Sequence, residues 1–302
     1  MSRFARTEMR SKITDFKKIA GKVYRVIYKK PKARKEICRL YGENNASLKL
    51  LASVLSAVLE NSTSEKEKTW IDKIELLRNE LNTSSAEIAV MDYGAGSLNL
   101  NLMAGEMCQG RVITRAIGEV CRSASTSNMW AFLLFKLIRE FKPSICLELG
   151  TCLGISTSYQ AAALELNGHG KIVTLEGSES LASLSRENFK KLGFKRIAVH
   201  AGRFQDTLGG VLHKQGHIDF AFIDGHHDKQ ATLAYFEQIF PFLTEKAISV
   251  FDDISWSKGM GEAWNIIAAD ERVKASVDLG GVGICLFTNS LGGKKSFKVV
   301  LD

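Results

Sequence analysis

No hydrophobic run in this 302-residue chain approaches the ~20 residues that a bilayer-spanning helix needs. Behind the opening MSRFARTEMR there is no apolar core of the kind a secretory leader carries. The six cysteines (Cys38, Cys108, Cys121, Cys146, Cys152 and Cys285) are scattered and form no C-x-x-C pair. That spacing argues against a zinc site, and reduced thiols in a cytoplasm are the simplest expectation. Extremes of composition are lacking too. With 45% hydrophobic and 25% charged residues the chain is neither disordered nor membranous, and it has enough apolar mass for one large domain or a domain with an extension.

Charge is present but unevenly placed. Of a formal +8, residues 1–43 hold 14 Lys or Arg against 4 Asp or Glu, and the rest of the chain holds 27 against 29. Residues 10–30 read as a basic helix. Ile13, Phe16, Ala20, Val23, Tyr24, Ile27 and Tyr28 recur at spacings of three and four and gather on one face, and Pro31 ends the pattern. The spacing suits a packing helix with a solvated basic back; it also suits a surface for anionic lipid, nucleic acid or an acidic substrate. Residues 34–60 and 66–82 are helical in pattern, with Asn61–Ser64 as a turn between them. A short apolar stretch, Ile88–Met91, leads into Asp92-Tyr-Gly-Ala-Gly96, which is expected to be a surface turn over the active site rather than a second cofactor site, because no amphipathic helix follows it. Residues 1–125 are thus expected to form a mostly helical N-terminal extension.

From residue 126 to 302 the pattern becomes that of a single α/β domain. After the helix Met129–Glu140, strand-like runs at Ile145–Leu149, Ile172–Leu175, Arg196–His200, Phe220–Ile223 and Ala247–Phe251 alternate with helical stretches at Ser156–Leu166, Leu181–Leu192, Phe204–Lys214, Asp228–Leu243 and Gly261–Ala269. This alternation predicts a Rossmann-like, doubly wound, mostly parallel sheet. Two final runs, Gly283–Phe287 and Ser296–Leu301, are joined by Asn289–Gly293, and are expected to make a C-terminal antiparallel hairpin.

The sharpest motif is Ile145-Cys-Leu-Glu-Leu-Gly-Thr-Cys-Leu-Gly-Ile-Ser156. A buried strand enters a turn bearing Gly150 and Gly154, and a helix begins near Ser156. Glycine lets such a turn run close beneath a ligand, and the helix start offers free N–H groups to an anionic one. A dinucleotide fingerprint would need glycine two positions after Gly150, where Cys152 stands, so NAD and FAD are disfavoured. Glu148, ending the strand, is placed to accept from a ligand ammonium. Glu176, just past the next strand, is placed to accept from ribose hydroxyls.

The run Phe135-Lys-Leu-Ile-Arg-Glu-Phe-Lys-Pro-Ser-Ile-Cys-Leu-Glu-Leu-Gly150 resembles the same region of the class I S-adenosylmethionine-dependent methyltransferases of the catechol and caffeoyl-CoA O-methyltransferase type. The resemblance covers about residues 128–302. It implies that Glu148, Gly150 and Ser156 hold the methionine end of S-adenosyl-L-methionine, that Glu176 holds the ribose, and that Gly202, Phe204 and Gln205 line the adenine.

Two acidic clusters follow strands: Phe222-Ile-Asp-Gly-His-His-Asp228 and Val250-Phe-Asp-Asp-Ile-Ser-Trp256. Acids converging from neighbouring strand ends repel one another unless a cation lies between them, and oxygen ligands suit Mg²⁺ or Mn²⁺. The resemblance implies a divalent metal on Asp224, Asp252 and Asp253, with Asp224 alternatively ordering only the cofactor loop. The family's catalytic lysine, three residues after the first metal acid, corresponds here to His227, with His226 as the neighbouring candidate base. Trp256, in a loop, is the substrate-wall candidate; Trp264 falls on a helix and is expected in the core. The expected partner is a small hydroxylated methyl acceptor, with a homodimer and peripheral membrane contact through the basic helix left open. Competing readings are a metal-independent N-methyltransferase and a nucleic-acid methyltransferase using that helix. The slightly acidic catalytic half and the lack of an Asn-Pro-Pro-Tyr motif speak against the latter.

Overall fold

In the computed structural model, residues 30–93 and 110–301 are described. The basic helix expected over 10–30 lies outside them except for Lys30, and so do the glycines of the Asp92–Gly96 turn.

Three helices come first: α1 (Lys30–Tyr41), α2 (Ala46–Glu60) and α3 (Glu65–Thr83). Asn45 caps α2 by accepting from the Leu48 N–H, and Asn61 ends it in the left-handed region (φ 50°). Ser64 and Glu67 form a reciprocal capping box on α3. A small antiparallel pair follows, β1 (Glu87–Asp92) with β2 (Arg111–Ala116). Only β1 was legible in the sequence, although Val112, Ile113 and Thr114 are a β-branched run. The short α4 (Ile117–Ala124) leads to α5 (Asn128–Phe141).

The main sheet then alternates with helices: β3 (Ile145–Leu149), α6 (Ile155–Asn167), β4 (Lys171–Glu176), α7 (Glu179–Leu192), β5 (Ile197–Ala201), α8 (Phe204–Gln215), β6 (Ile218–Ile223), α9 (Lys229–Ile239), β7 (Leu243–Phe251), α10 (Lys258–Ala269), β8 (Ala275–Asp278), β9 (Gly283–Leu286) and β10 (Lys295–Lys298). Its eight strands lie in the order β10-β8-β9-β7-β6-β3-β4-β5. The β3 to β7 core is parallel. Every residue of β3 is buried, as suits a strand covered on both faces. Alternate side chains sort to the two faces: Cys146, Phe220 and Val250 join the core under α2, α3, α5 and α6, whereas Leu147, Leu149 and Phe251 join the core under α8, α9 and α10.

An antiparallel C-terminal hairpin is present, but its arms are β8 and β9, not the 283–287 and 296–301 runs paired in the sequence reading. β9 inserts between β7 and β8, so both its edges are taken. The last run therefore adds to the free edge of β8, in parallel. Among the described residues, no helix is long and apolar enough to cross a membrane.

Candidate functional site

Strand order reverses between β3 and β6, and in such sheets ligands bind outside the carboxyl ends of the strands at that switch point. Here the loops interlock. The N–H of Gly150 donates to Leu175 O, that of Asp224 to Leu149 O, that of Asp252 to Ile223 O and that of Gly202 to Glu176 O, each at 2.9–3.0 Å. A Cβ on Gly150 (φ 103°) would sit 1.8 Å from the Asp224 carbonyl oxygen, so only glycine fits where these two loops meet.

Glu176 is 8% exposed and oriented by both neighbouring loops. Its Oε2 accepts from the Cys152 N–H (2.7 Å) and its Oε1 from the Ser178 N–H (2.9 Å). Burial raises its pKa, and these amide donors oppose the rise. A carboxylate has about four acceptor positions, and these amides, with that of Gly177 also bearing on it, do not fill them all.

Glu148 differs from its expected role. It is fully buried, and four side chains donate to its two oxygens: Ser156 (2.7 Å) and Gln160 (2.6 Å) to Oε1, and Thr174 (2.6 Å) and Thr157 to Oε2. Its acceptor capacity is filled, so it does not take a ligand ammonium directly; it pins the glycine turn and the first turn of α6. Ser156 is spent on the same task. Burial pushes the Glu148 carboxyl up to about 6 against these donors. Gly154 is the N-cap of α6, with φ 83° and the Phe189 ring where a side chain would be.

At the lip, Gly202 (φ 130°) turns β5 into α8. Phe204 is half-buried, packs edge-on against Tyr235 (5.8 Å between centroids) and fills the space above Gly225. Gln205 is exposed, with its amide 3.5 Å from His226 Nδ1. His226 Nδ1 also shares a 2.8 Å hydrogen bond with the buried Tyr235 hydroxyl.

The structure brings the three acids of the cluster, Asp224, Asp252 and Asp253, together. Asp224 is raised well above the usual carboxylate range by burial and by the charges of Asp252 and Asp253. Asp252 is raised to about 7 by burial and then by Asp253. The His227 ring stands between two of the acids, Nε2 3.6 Å from Asp224 Oδ1 and Nδ1 3.6 Å from Asp253 Oδ2. Among the described residues, no group of three or more His, Cys, Asp or Glu side chains has the arrangement of a metal site. The expected divalent metal on Asp224, Asp252 and Asp253 is thus not shown by this arrangement. Burial lowers the His227 pKa, which keeps the ring neutral and able to accept a proton near pH 7.

Trp256 lies just beyond, 41% exposed, its N–H donating to Asp253 O at 3.0 Å. Trp264 is in the core against Gly283 and Phe251, as its helix position implied. Two residues at this site were missed by the sequence reading. Thr126, ahead of α5, donates to Asp224 Oδ2 (3.2 Å), and Arg78 on α3 donates to the Thr126 carbonyl (2.9 Å). Neither belongs to a motif; they reach the site only because the N-terminal helices fold onto the sheet.

A family model described as a methyltransferase domain matches residues 147–254. A catechol O-methyltransferase from Niastella koreensis is 33% identical over 93 residues, a match spanning 30% of this chain and 40% of that relative. Among solved structures, an O-methyltransferase from Bacillus cereus in complex with SAH is 26% identical, over 54% of this chain and 83% of that one, with a TM-score of 0.48. An SAH-bound methyltransferase from Podospora anserina is 21% identical, over 55% of this chain and 81% of that one, with a TM-score of 0.49.

Proposed function

We propose that this chain, whose residues 147–254 match a methyltransferase-domain model, is an S-adenosylmethionine-dependent O-methyltransferase of a small hydroxylated molecule. The observation that carries the proposal is Glu176: a carboxylate at a parallel strand's carboxyl end, aimed by two loop amides and left with acceptor capacity for ribose hydroxyls, beside a glycine turn that opens a helix. When bound, S-adenosylmethionine supplies an electrophilic methyl group. The chain's own residues do the rest. Glu176 holds the diol, and the Gly150 turn and α6 N-terminus approach the methionine end. Gly202, Phe204 and Gln205 border the base. His227, neutral and held between Asp224 and Asp253, accepts the proton of the acceptor hydroxyl, and the Asp253 carboxylate beside Nδ1 stabilises the imidazolium that forms. His226 is engaged by Tyr235 and is the weaker base. Trp256 offers an aromatic wall to the acceptor. Rate comes largely from holding the two reactants in line.

The test is calorimetric titration of S-adenosylhomocysteine into the purified protein, followed by turnover with hydroxylated acceptors. Wild type should bind, and Glu176→Gln should bind roughly ten-fold or more weakly. His227→Gln should keep the affinity and lose about 10²–10⁴-fold in kcat. No binding by wild type would sink the proposal. Turnover abolished by EDTA and restored by Mg²⁺ would put a cation among the three acids and take the proton-accepting role away from His227 alone.

A further inference from the structure

The β1–β2 hairpin lies outside the main sheet, yet it is fastened to the loop that carries Glu176. The Met91 N–H donates to Ser178 Oγ (3.1 Å), Ser180 Oγ donates to the Ala89 carbonyl, and Ser178 and Ser180 bond to each other (2.8 Å). These contacts bring Tyr93, the residue after β1, over the turn that follows β4.

Two glycines hold the ring in place. A Cβ on Gly177 would lie 3.0 Å from Tyr93 Cε2 and 3.1 Å from Cδ2, and a Cβ on Gly110 would lie 2.7 Å from Cε1 and 2.8 Å from Cδ1. One ring edge therefore faces Gly110, which takes φ 68° to pass so close, and the other faces Gly177. Gly177 immediately follows Glu176. The position next to the diol-binding acid has no side chain of its own, and the space above it is taken by an aromatic ring from a distant segment. Tyr93 is only half-buried.

We infer that Tyr93 is a positioning residue for the cofactor, giving the nucleoside an aromatic surface to lie against in place of the side chain that Gly177 lacks. The inference rests on the cofactor reading above. Aromatic rings are suited to the task because every purine has a π-face to stack on, and a ring has few rotamers to lose on binding. It also gives the N-terminal hairpin a role that its small sheet does not explain.

The experiment is titration of S-adenosylhomocysteine, and separately of adenosine, into wild type and the Tyr93→Phe, Tyr93→Leu and Tyr93→Ala variants, with melting of each free protein. Leucine keeps the apolar bulk between the glycines and removes the aromatic plane, so it separates stacking from packing. The expected result is wild-type affinity for Tyr93→Phe and a loss of about ten-fold for Tyr93→Leu and Tyr93→Ala. Adenosine should show the same loss, with the melting temperature of Tyr93→Leu unchanged. Equal affinity of Tyr93→Leu and wild type would overturn the inference while leaving the cofactor reading intact. Wild type that binds neither ligand would overturn both.

Discussion

Single residues at the strand ends divide into those the ligand can reach and those that only shape the site. Glu148 and Glu176 looked alike in sequence, each an acid closing an apolar strand. The difference is where their acceptor capacity goes. Four side-chain donors from α6 and β4 saturate Glu148, whereas only backbone amides reach Glu176 and leave part of its capacity open. Sequence could place both acids but could not count donors that arrive by folding. Glu148 has a measurable consequence for stability. Its folded pKa, about 6, lies above its ordinary 4.5, so the native state holds this proton more tightly than the unfolded chain. The stabilising contribution is full below 4.5 and is lost as pH rises to about 6. Denaturant titrations across that window should show wild-type stability falling with pH, and Glu148→Gln should flatten the slope. An unchanged slope in the variant would remove Glu148 as its source.

Elements from β3 to β7 were legible because β3, β4, β6 and the second half of β7 are buried on both faces and read as apolar runs, with the partly exposed β5 at the edge, while the helices show a 3.6-residue period. At the C-terminus β9 and β10 were legible as runs, but the four-residue β8 was not, and the pairing depends on which edges are still free. Turns are the most demanding elements. Gly150→Ala would force a side chain against the Asp224 backbone at a φ that alanine disfavours. The expected cost is about 2–5 kcal/mol, from strain and from parting the β3 and β6 loops. Chemical denaturation measures it. An alanine variant as stable as wild type would mean that the two loops do not touch in solution.

On the scale of the whole molecule, the change of pattern near residue 126 suggested a mostly helical N-terminal extension followed by a methyltransferase domain. The two pack closely against each other. Residues Ala131–Ile138 of α5 are buried all round, and Lys136 bonds across to Glu67 of α3 at 2.8 Å with both side chains under 10% exposed. The hydrophobic core runs continuously from Leu51, Leu55 and Ile74 to Leu133 and Ala162. We expect the excised segment 126–302 to fail to give a folded, S-adenosylhomocysteine-binding protein. Circular dichroism melting and calorimetry would reveal it, and a cooperative melt with retained binding would show an independent catalytic domain. The extra strand, β10, has a consequence of its own. It is short, it places Lys295 and Lys298 at the sheet border, where they pair with Glu43 and Asp278, and Arg39 of α1 lies over its Phe297. A charged, helix-shielded margin of this kind is a poor template for another strand. Two copies of this chain would thus not join their sheets into one continuous ribbon across that margin, and any self-assembly must use a different part of the surface.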